Sequence, residues 1–380
     1  MRILCRSLED KKLVWFESSN QYIQMELPGY EVFDRLNHGI STESVAEWCS
    51  RKYDLTASDA LKFVKEIQHF ISITNKSPEP QNSSKNPDAN LIPASEQFIS
   101  KKYYHFAGAD FCFYYNHLRI EKMVHPLLSH LEIKQPVSTC HQFQLFRHND
   151  LLYLRTNEKF IDKWSLSKEN FFKGKVFLEL LNKAYQKEEN DWMAVMHGSA
   201  ISDGKHSIII TGDSGKGKST ALAVLLANGF KFMSDDFVPV EAVSKEAYQF
   251  PTAISVKKGA VETLHHIYPE LLEAEEFYYE DFDKTVRYLS PHLSKEPSHQ
   301  SLPVKAIVFV NYEPGAELEI SRKPKTKAIQ NVITESWLSP RYENAECFLD
   351  WAISMPYYRL KYSDNQQMIA AITNLFSDEK

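Results

Sequence analysis

A layered α/β core behind a small winged-helix-like unit is the fold class this sequence predicts, and three observations carry it. Apolar strand-like runs alternate with helix-like segments through the C-terminal half of the 380 residues, the pattern of an α/β layered domain. A β-branched run, Ile208–Ile210, leads directly into Gly212-x-x-x-x-Gly217-Lys218-Ser219 and then into a helical segment, the strand–loop–helix setting of a P-loop. Residues 1 to about 75 read as a strand pair followed by three helices. The length allows two or three domains with ordinary cores.

In chain order, Leu13–Phe16 and Tyr22–Leu27 read as extended segments, with a break expected at Pro28-Gly29. A helix follows and stops near Asn37-His38-Gly39, where Gly39 can cap it. Ser41 is placed to cap a second helix through Trp48, and Thr56-x-x-Asp59 resembles a capping box ahead of a third. On that third helix Leu61, Val64, Ile67 and Ile71 share one face. Residues 76–90 are rich in Pro, Ser and Asn, too polar to bury a core, and read as a linker. A second domain is expected over 91–380. Its part 91–190 is strand-rich and closes with a helix over Phe171–Gln186, and its part 191–380 is the P-loop core. There, Thr220–Asn228 reads as a helix capped by Gly229 and Phe230–Met233 and Phe237–Val240 as buried strands. Ala306–Val310 reads as a central strand, Thr326–Ser336 and Ala345–Ile353 as helices, and acidic, aromatic Glu270–Asp283 as a solvated helix or lid.

Composition narrows the functional classes. Hydrophobic content of 43% and charged content of 25% are those of a soluble globular chain. A net charge of −6 lacks the basic footprint of a nucleic-acid binder. No apolar run approaches membrane-spanning length, and the apolar part of the N-terminus is too short for a signal peptide. The five cysteines are scattered and form no Cys-x-x-Cys, so neither a zinc site nor a disulfide framework is indicated, and a cytoplasmic protein with reduced thiols is expected.

The loop itself predicts chemistry. Backbone N–H groups of Gly212, Asp213, Ser214, Gly215, Lys216, Gly217, Lys218, Ser219 and Thr220 would wrap a polyphosphate, and the following helix would aim its N-terminus at the same charge. Lys218 would reach the β- and γ-phosphates and the Ser219 hydroxyl would bind magnesium. Asp235-Asp236 closes the short strand after the loop's helix. One acid can orient the metal and the other can accept a proton from an attacking hydroxyl. His197-Gly198 precedes the loop, and an imidazole beside a carboxylate would tune its proton affinity. Taken singly, each feature also has a plain alternative: a ligand-free turn, a solvated Asp pair, a surface histidine.

Together, MHGSAIS…IIITGDSGKGKST…GFKFMSDDFV resembles the HPr kinase family, whose catalytic domain has a P-loop fold similar to phosphoenolpyruvate carboxykinase. His197 stands fifteen residues before Gly212, and Asp235 stands seventeen after Lys218, as in that family. The resemblance implies ATP with Mg2+ as cofactors (GTP stays open), Asp235 on metal and phosphate, Asp236 as proton acceptor and His197 assisting it. Thr220 stands where bacterial HPr kinases carry Glu, and their signature with a second metal-binding Glu is not recognisable. The chain is therefore more similar to HPr-kinase-related proteins found beside peptide-modification genes. In those, a segment like FPTAISVKKGA supplies a basic group, here Lys257. Arg287 is a second cation able to neutralise transferring charge.

Residues 1–75 resemble PqqD-like domains, which hold leader peptides. Nine Lys or Arg stand against eleven Asp or Glu in that span, a balance that favours peptide capture at a sheet edge over DNA binding, with a purely structural domain as a third reading. The expected partner is thus a precursor peptide or protein carrying a Ser or Thr hydroxyl, with no DNA and no membrane; a homo-oligomer is left open. Two other readings stay open: a kinase for a small hydroxylated molecule such as free serine, and a non-catalytic nucleotide-binding scaffold.

Overall fold

The computed structural model describes residues 2–76, 97–279, 284–291 and 300–377. The chain is mixed α/β with several sheets. It divides into two compact units, Met1–Asn82 with Lys323–Met355, and Ser83–Arg322 with Pro356–Lys380. The linker expected over 76–90 lies, from residue 77 on, outside the described residues.

The first unit opens with an antiparallel sheet, β1 (Ile3–Leu8), β2 (Lys11–Phe16) and β3 (Gln21–Glu26), one strand more than the expected pair. Three helices follow: α1 (Leu27–Asn37), α2 (Thr42–Tyr53) and α3 (Ala57–Thr74). The expected break at Pro28-Gly29 is instead the first turn of α1, where proline's missing N–H costs no hydrogen bond. Ser41 and Thr56 cap α2 and α3 by accepting from Ser44 N and Asp59 N, and α2 continues past Trp48 to Tyr53. Val14 and Phe16 pack with Met25 and Phe33, and Ile67 and Ile71 of α3 lie against them.

The remainder of this unit comes from far along the chain: α8 (Lys325–Glu335), β21 (Ser336–Leu338) and α9 (Tyr342–Ser354). These residues lie within the expected 91–380 domain but cluster with the first unit. Their apolar side is matched by the second face of the N-terminal sheet. All of Leu13, Val14, Trp15 and Phe16 are fully buried, and alternation along a strand sends Val14 and Phe16 to one face and Leu13 and Trp15 to the other. On that second side Trp15 meets Tyr342 edge-on at 6.0 Å and Tyr22 meets Phe348 at 5.2 Å. Arg6 pairs with Asp350 at 2.6 Å, Gln24 donates to Thr326 O at 2.7 Å and Lys325 N donates to Glu9 at 2.9 Å.

The second unit begins with β4 (Ser100–Phe106), β5 (Ala109–Tyr115), α4 (Leu118–Leu128), β6 (Glu132–Ile133), β7 (His141–His148), β8 (Leu151–Thr156) and β9 (Lys159–Ser165). These strands form one sheet in the order β6-β4-β5-β7-β8-β9. The following helix, α5 (Glu169–Tyr185), buries Phe172, Val176, Phe177, Leu180 and Leu181.

A larger sheet follows, from β10 (Trp192–Met196), β11 (Ser199–Ser202), β12 (Ser207–Thr211), β13 (Lys231–Asp235), β14 (Val238–Glu241) and β15 (Glu246–Tyr248). Late in the chain β19 (Ser301–Tyr312), β20 (Glu319–Arg322) and β22 (Tyr357–Tyr362) join it. β12 lies parallel to β19 and β19 parallel to β22. Strands covered on both faces read as continuous apolar runs, and Ile208, Ile209 and Ile210 are fully buried. Helix α6 (Lys218–Ala227) buries every residue from Ala221 to Leu225, so it too is an interior element. With α10 (Asn365–Ser377) it packs against Ile208, Ile210, Val308 and Leu360. A three-stranded sheet in the order β16-β18-β17 completes the unit, built from β16 (Ile254–Lys257), β17 (Phe277–Tyr279) and β18 (Lys284–Leu289), with α7 (Lys258–Leu264) between β16 and β17. Glu270–Asp283 is therefore not a helix: it holds a 3-10 turn over Pro269–Leu272 and strand β17, with 280–283 outside the described residues.

Candidate functional site

The glycine-rich segment joins the end of β12 to the start of α6. Gly212 takes φ +142°, and a Cβ there would come 2.7 Å from Val310 O on the neighbouring strand; only glycine lets the loop leave the sheet this closely. Lys218 is nearly buried and its Nζ donates to Gly212 O at 2.7 Å and Asp213 O at 3.4 Å. Lys257, at the end of β16, donates to Ser214 Oγ at 3.1 Å. The loop thus holds two ammonium groups at its own backbone and side chain.

The acid pair ends β13 beside the loop. Asp235 Oδ1 accepts from Ser219 Oγ at 3.2 Å and from Ser199 Oγ at 2.6 Å, and its Oδ2 accepts from Ser255 N at 3.1 Å. Burial and the adjacent Asp236 carboxylate push Asp235 up to about 7, and these three donors only partly oppose that. Asp236 takes φ +61°, a left-handed conformation that Asp tolerates better than most residues. The turn separates the pair: Asp235 is 1% exposed, while Asp236 faces solvent. Asp236 Oδ1 lies 3.9 Å from His197 Nδ1. His197 is held from below, because Gly198 lies so close to β12 that a Cβ would sit 2.6 Å from Ile210 O, and Thr211 Oγ1 donates to His197 O at 3.3 Å.

These residues line one cleft of about 390 Å3, which includes His197, Ser214, Gly215, Gly217, Lys218, Ser219, Thr220, Asp236 and Lys257. Of the other site residues expected from the sequence, Asp235 accepts from the cleft's Ser219, Gly212 and Asp213 both accept from its Lys218, Lys216 is not among the lining residues, and Arg287 is turned away from it. Arg287 donates to Leu272 O at 2.9 Å, to Leu271 O, and to Glu276 at 3.0 Å. The register explains the correction. Lys257 pairs with Val286, and Val256 with Arg287, so Arg287 and Lys257 project from opposite faces of the same two strands. Lys284, two residues before Val286, shares Lys257's face and lines the cleft. Ser199, Ser255 and Lys284 were not singled out from the sequence. Only the position of Ser199, two residues after His197 at strand spacing, carried any signal.

Among the described residues no group of three His, Cys, Asp or Glu side chains is arranged to hold a metal ion. The oxygen pair of Ser219 and Asp235 suits magnesium, which takes few protein ligands and completes its shell with phosphate and water. The five cysteines are unbridged, and no helix among the described residues is long and apolar enough to cross a membrane. No family model matches the chain, and a comparison with curated proteins returns no significant match.

Proposed function

We propose that this chain is a P-loop kinase of the HPr-kinase-related type. In this reading it moves the γ-phosphoryl group of ATP, with magnesium, to a Ser or Thr hydroxyl of a peptide or protein. One observation carries the reading: the buried acid shares a 3.2 Å contact with the loop serine, while its exposed neighbour meets a histidine in the same cleft. A bound magnesium triphosphate would supply the phosphoryl group and a leaving diphosphate. The protein's part is positioning and charge. Asp235 and Ser219 offer the metal two oxygens from opposite elements, and a bound cation would hold Asp235 ionised against the burial that raises it. Lys218 and Lys257 set positive charge along the loop. Asp236 accepts the acceptor's hydroxyl proton as the oxygen–phosphorus bond forms and the bond to the departing diphosphate breaks, and His197 balances the charge on Asp236. GTP would be read equally, because the loop contacts phosphates.

Residues 1–75, near-neutral and carrying a sheet and three helices, fit a PqqD-like leader-peptide grip, which would raise the acceptor's local concentration. Deleting residues 1–75 is a poor test of that role, because it would strip Trp15 and Tyr22 from Tyr342 and Phe348. The decisive experiment is mass spectrometry of precursor peptides encoded beside the gene, incubated with protein, magnesium and ATP. Added phosphate that disappears in Lys218→Ala and Asp236→Asn supports the reading. Retained nucleotide binding with no phosphorylated peptide points to a scaffold, and phosphorylation of free serine points to a small-molecule kinase.

A further inference from the structure

The cleft has lining residues that phosphoryl transfer leaves unused, and the sheet places them across the loop from the acid pair. Neighbouring strands run in the order β13-β11-β12-β19, and β22 pairs with the other edge of β19. Asp235 ends β13 and the loop leaves β12. Three strand spacings, about 14 Å, separate β13 from β19. β19 also outruns β12: Thr211 pairs with Phe309, and β19 continues to Tyr312, which pairs with Tyr362. Tyr312 is fastened to the loop at that point. Its N–H donates to Lys216 O at 3.1 Å, and a Cβ on Gly217 would lie 3.2 Å from Tyr312 Cβ and 3.5 Å from the Tyr362 hydroxyl. The two rings meet edge-on at 5.6 Å. Both line the cleft, yet Tyr362 is 1% exposed and Tyr312 44% exposed. A half-exposed ring braced by a buried one is a stacking platform. Asn365, the first residue of α10, lines the same cleft. Asp364 caps that helix, its Oδ1 accepting from Gln367 N at 2.8 Å, so the Asn365 amide is not needed to close it.

We propose, resting on the kinase reading above, that Tyr312 and Asn365 form the nucleobase subsite: the donor's base stacks on the Tyr312 ring and its polar edge meets the Asn365 amide. A hydroxyl activated by Asp236 needs the γ-phosphorus beside that carboxylate, so the donor's ester end leaves the loop on the other side. There the strand order supplies a half-exposed aromatic ring and a side-chain amide. Stacking tolerates any base, and an amide carries both donors and an acceptor, so adenine and guanine both fit. The cleft then selects a nucleoside triphosphate over a triphosphate without a base, a choice the loop cannot make because its backbone meets phosphates alone.

The test measures dissociation constants by calorimetry on full-length protein with magnesium. The ligands are non-hydrolysable analogues of ATP and GTP and methyl triphosphate, which carries the same charge without a nucleoside. Both analogues are expected to bind about tenfold or more tightly than methyl triphosphate. Tyr312→Ala should weaken both analogues about tenfold while leaving methyl triphosphate within about twofold, and Tyr312→Phe should retain most of the affinity. Asn365→Ala should weaken the analogues about threefold. By NMR, the Tyr312 ring protons should show a nuclear Overhauser contact to the adenine protons, which a ring that only props the loop would not give. Methyl triphosphate binding as tightly as the analogues, or a preference that survives Tyr312→Ala, overturns the subsite. An equal loss of all three ligands in that variant, or no ring-to-base contact, overturns it as well. Failure of all three ligands to bind, or binding unchanged in Lys218→Ala, sinks the kinase reading and this one together, whereas Lys218-dependent binding with no preference for a base sinks only this one.

Discussion

Two buried carboxylates in the second unit behave in opposite ways. Asp110, at the start of β5, accepts from His105 at 2.7 Å, from Val137 N and Ser138 N at 2.7 and 2.8 Å, and from Ser138 Oγ at 3.1 Å. Burial raises its pKa, but the His105, Ser138 and Val137 bonds outweigh that and hold it at about 2. Asp235 has three donors, all uncharged groups, yet it is pushed up to about 7. The donor count differs by one. Burial is the larger cause that pushes Asp235 up and the second carboxylate beside it adds to that, whereas Asp110 accepts from an imidazole and, among the described residues, has no like charge beside it. A carboxylate satisfied by its own fold is structural, whereas one buried beside a like charge is left open to a cation from outside, as the proposed function requires.

The largest expected effect tests the site half of that contrast. Asp236→Asn keeps the left-handed turn, which Asn also tolerates. It should lower phosphoryl transfer about 10²- to 10⁴-fold while the melting temperature stays within about 2 °C, measured by peptide phosphorylation and calorimetry. Next, Asp110→Asn should cost about 2–3 kcal/mol in urea unfolding, because a buried amide cannot accept what the carboxylate accepted. Asp235→Asn should cost less than that, or nothing, in magnesium-free protein at pH 8.

The pH dependence sharpens the comparison. Asp110 is depressed in the folded state, so its contribution is present above about pH 4 and is lost as pH falls toward 2. Asp235 is raised, so the folded chain holds its proton more tightly than the unfolded chain. Its contribution is therefore full below about pH 4 and is lost as pH rises to about 7. Urea midpoints at pH 5 and pH 8 should decline in magnesium-free wild type and stay flat in Asp235→Asn; equal slopes in the two proteins would refute the assignment. The smallest effect belongs to Arg287→Gln, expected to cost about 1 kcal/mol through the lost Leu272 and Glu276 bonds with transfer unchanged. A large activity loss there would restore Arg287 to the site.

Local features were read well from sequence because they are local in cause. Caps at Ser41 and Thr56, the helix stop at Gly39, the apolar run of β12 and the glycine-rich turn each depend on a few consecutive residues. In Leu13–Phe16 four consecutive apolar residues in a strand imply cover on both faces, but the second cover lies some 300 residues away and no local pattern names it. Arg287 and Lys284 could not be told apart from sequence, because only the pairing of β16 with β18 decides which of them shares a face with Lys257.

What the sequence determined alone was the mixed α/β class, the strand–loop–helix around Gly212–Ser219 and the residues brought to one cleft by it, since these follow from periodicity, backbone freedom and short spacing. Tertiary structure alone decided that residues 323–355 complete the first unit, that Asp235 is buried and Asp236 exposed, and that Lys284 stands where Arg287 was expected. The physical reason is the same in each case: burial and facing depend on which distant strand pairs in which register, and a one-residue step reverses the side chain's direction.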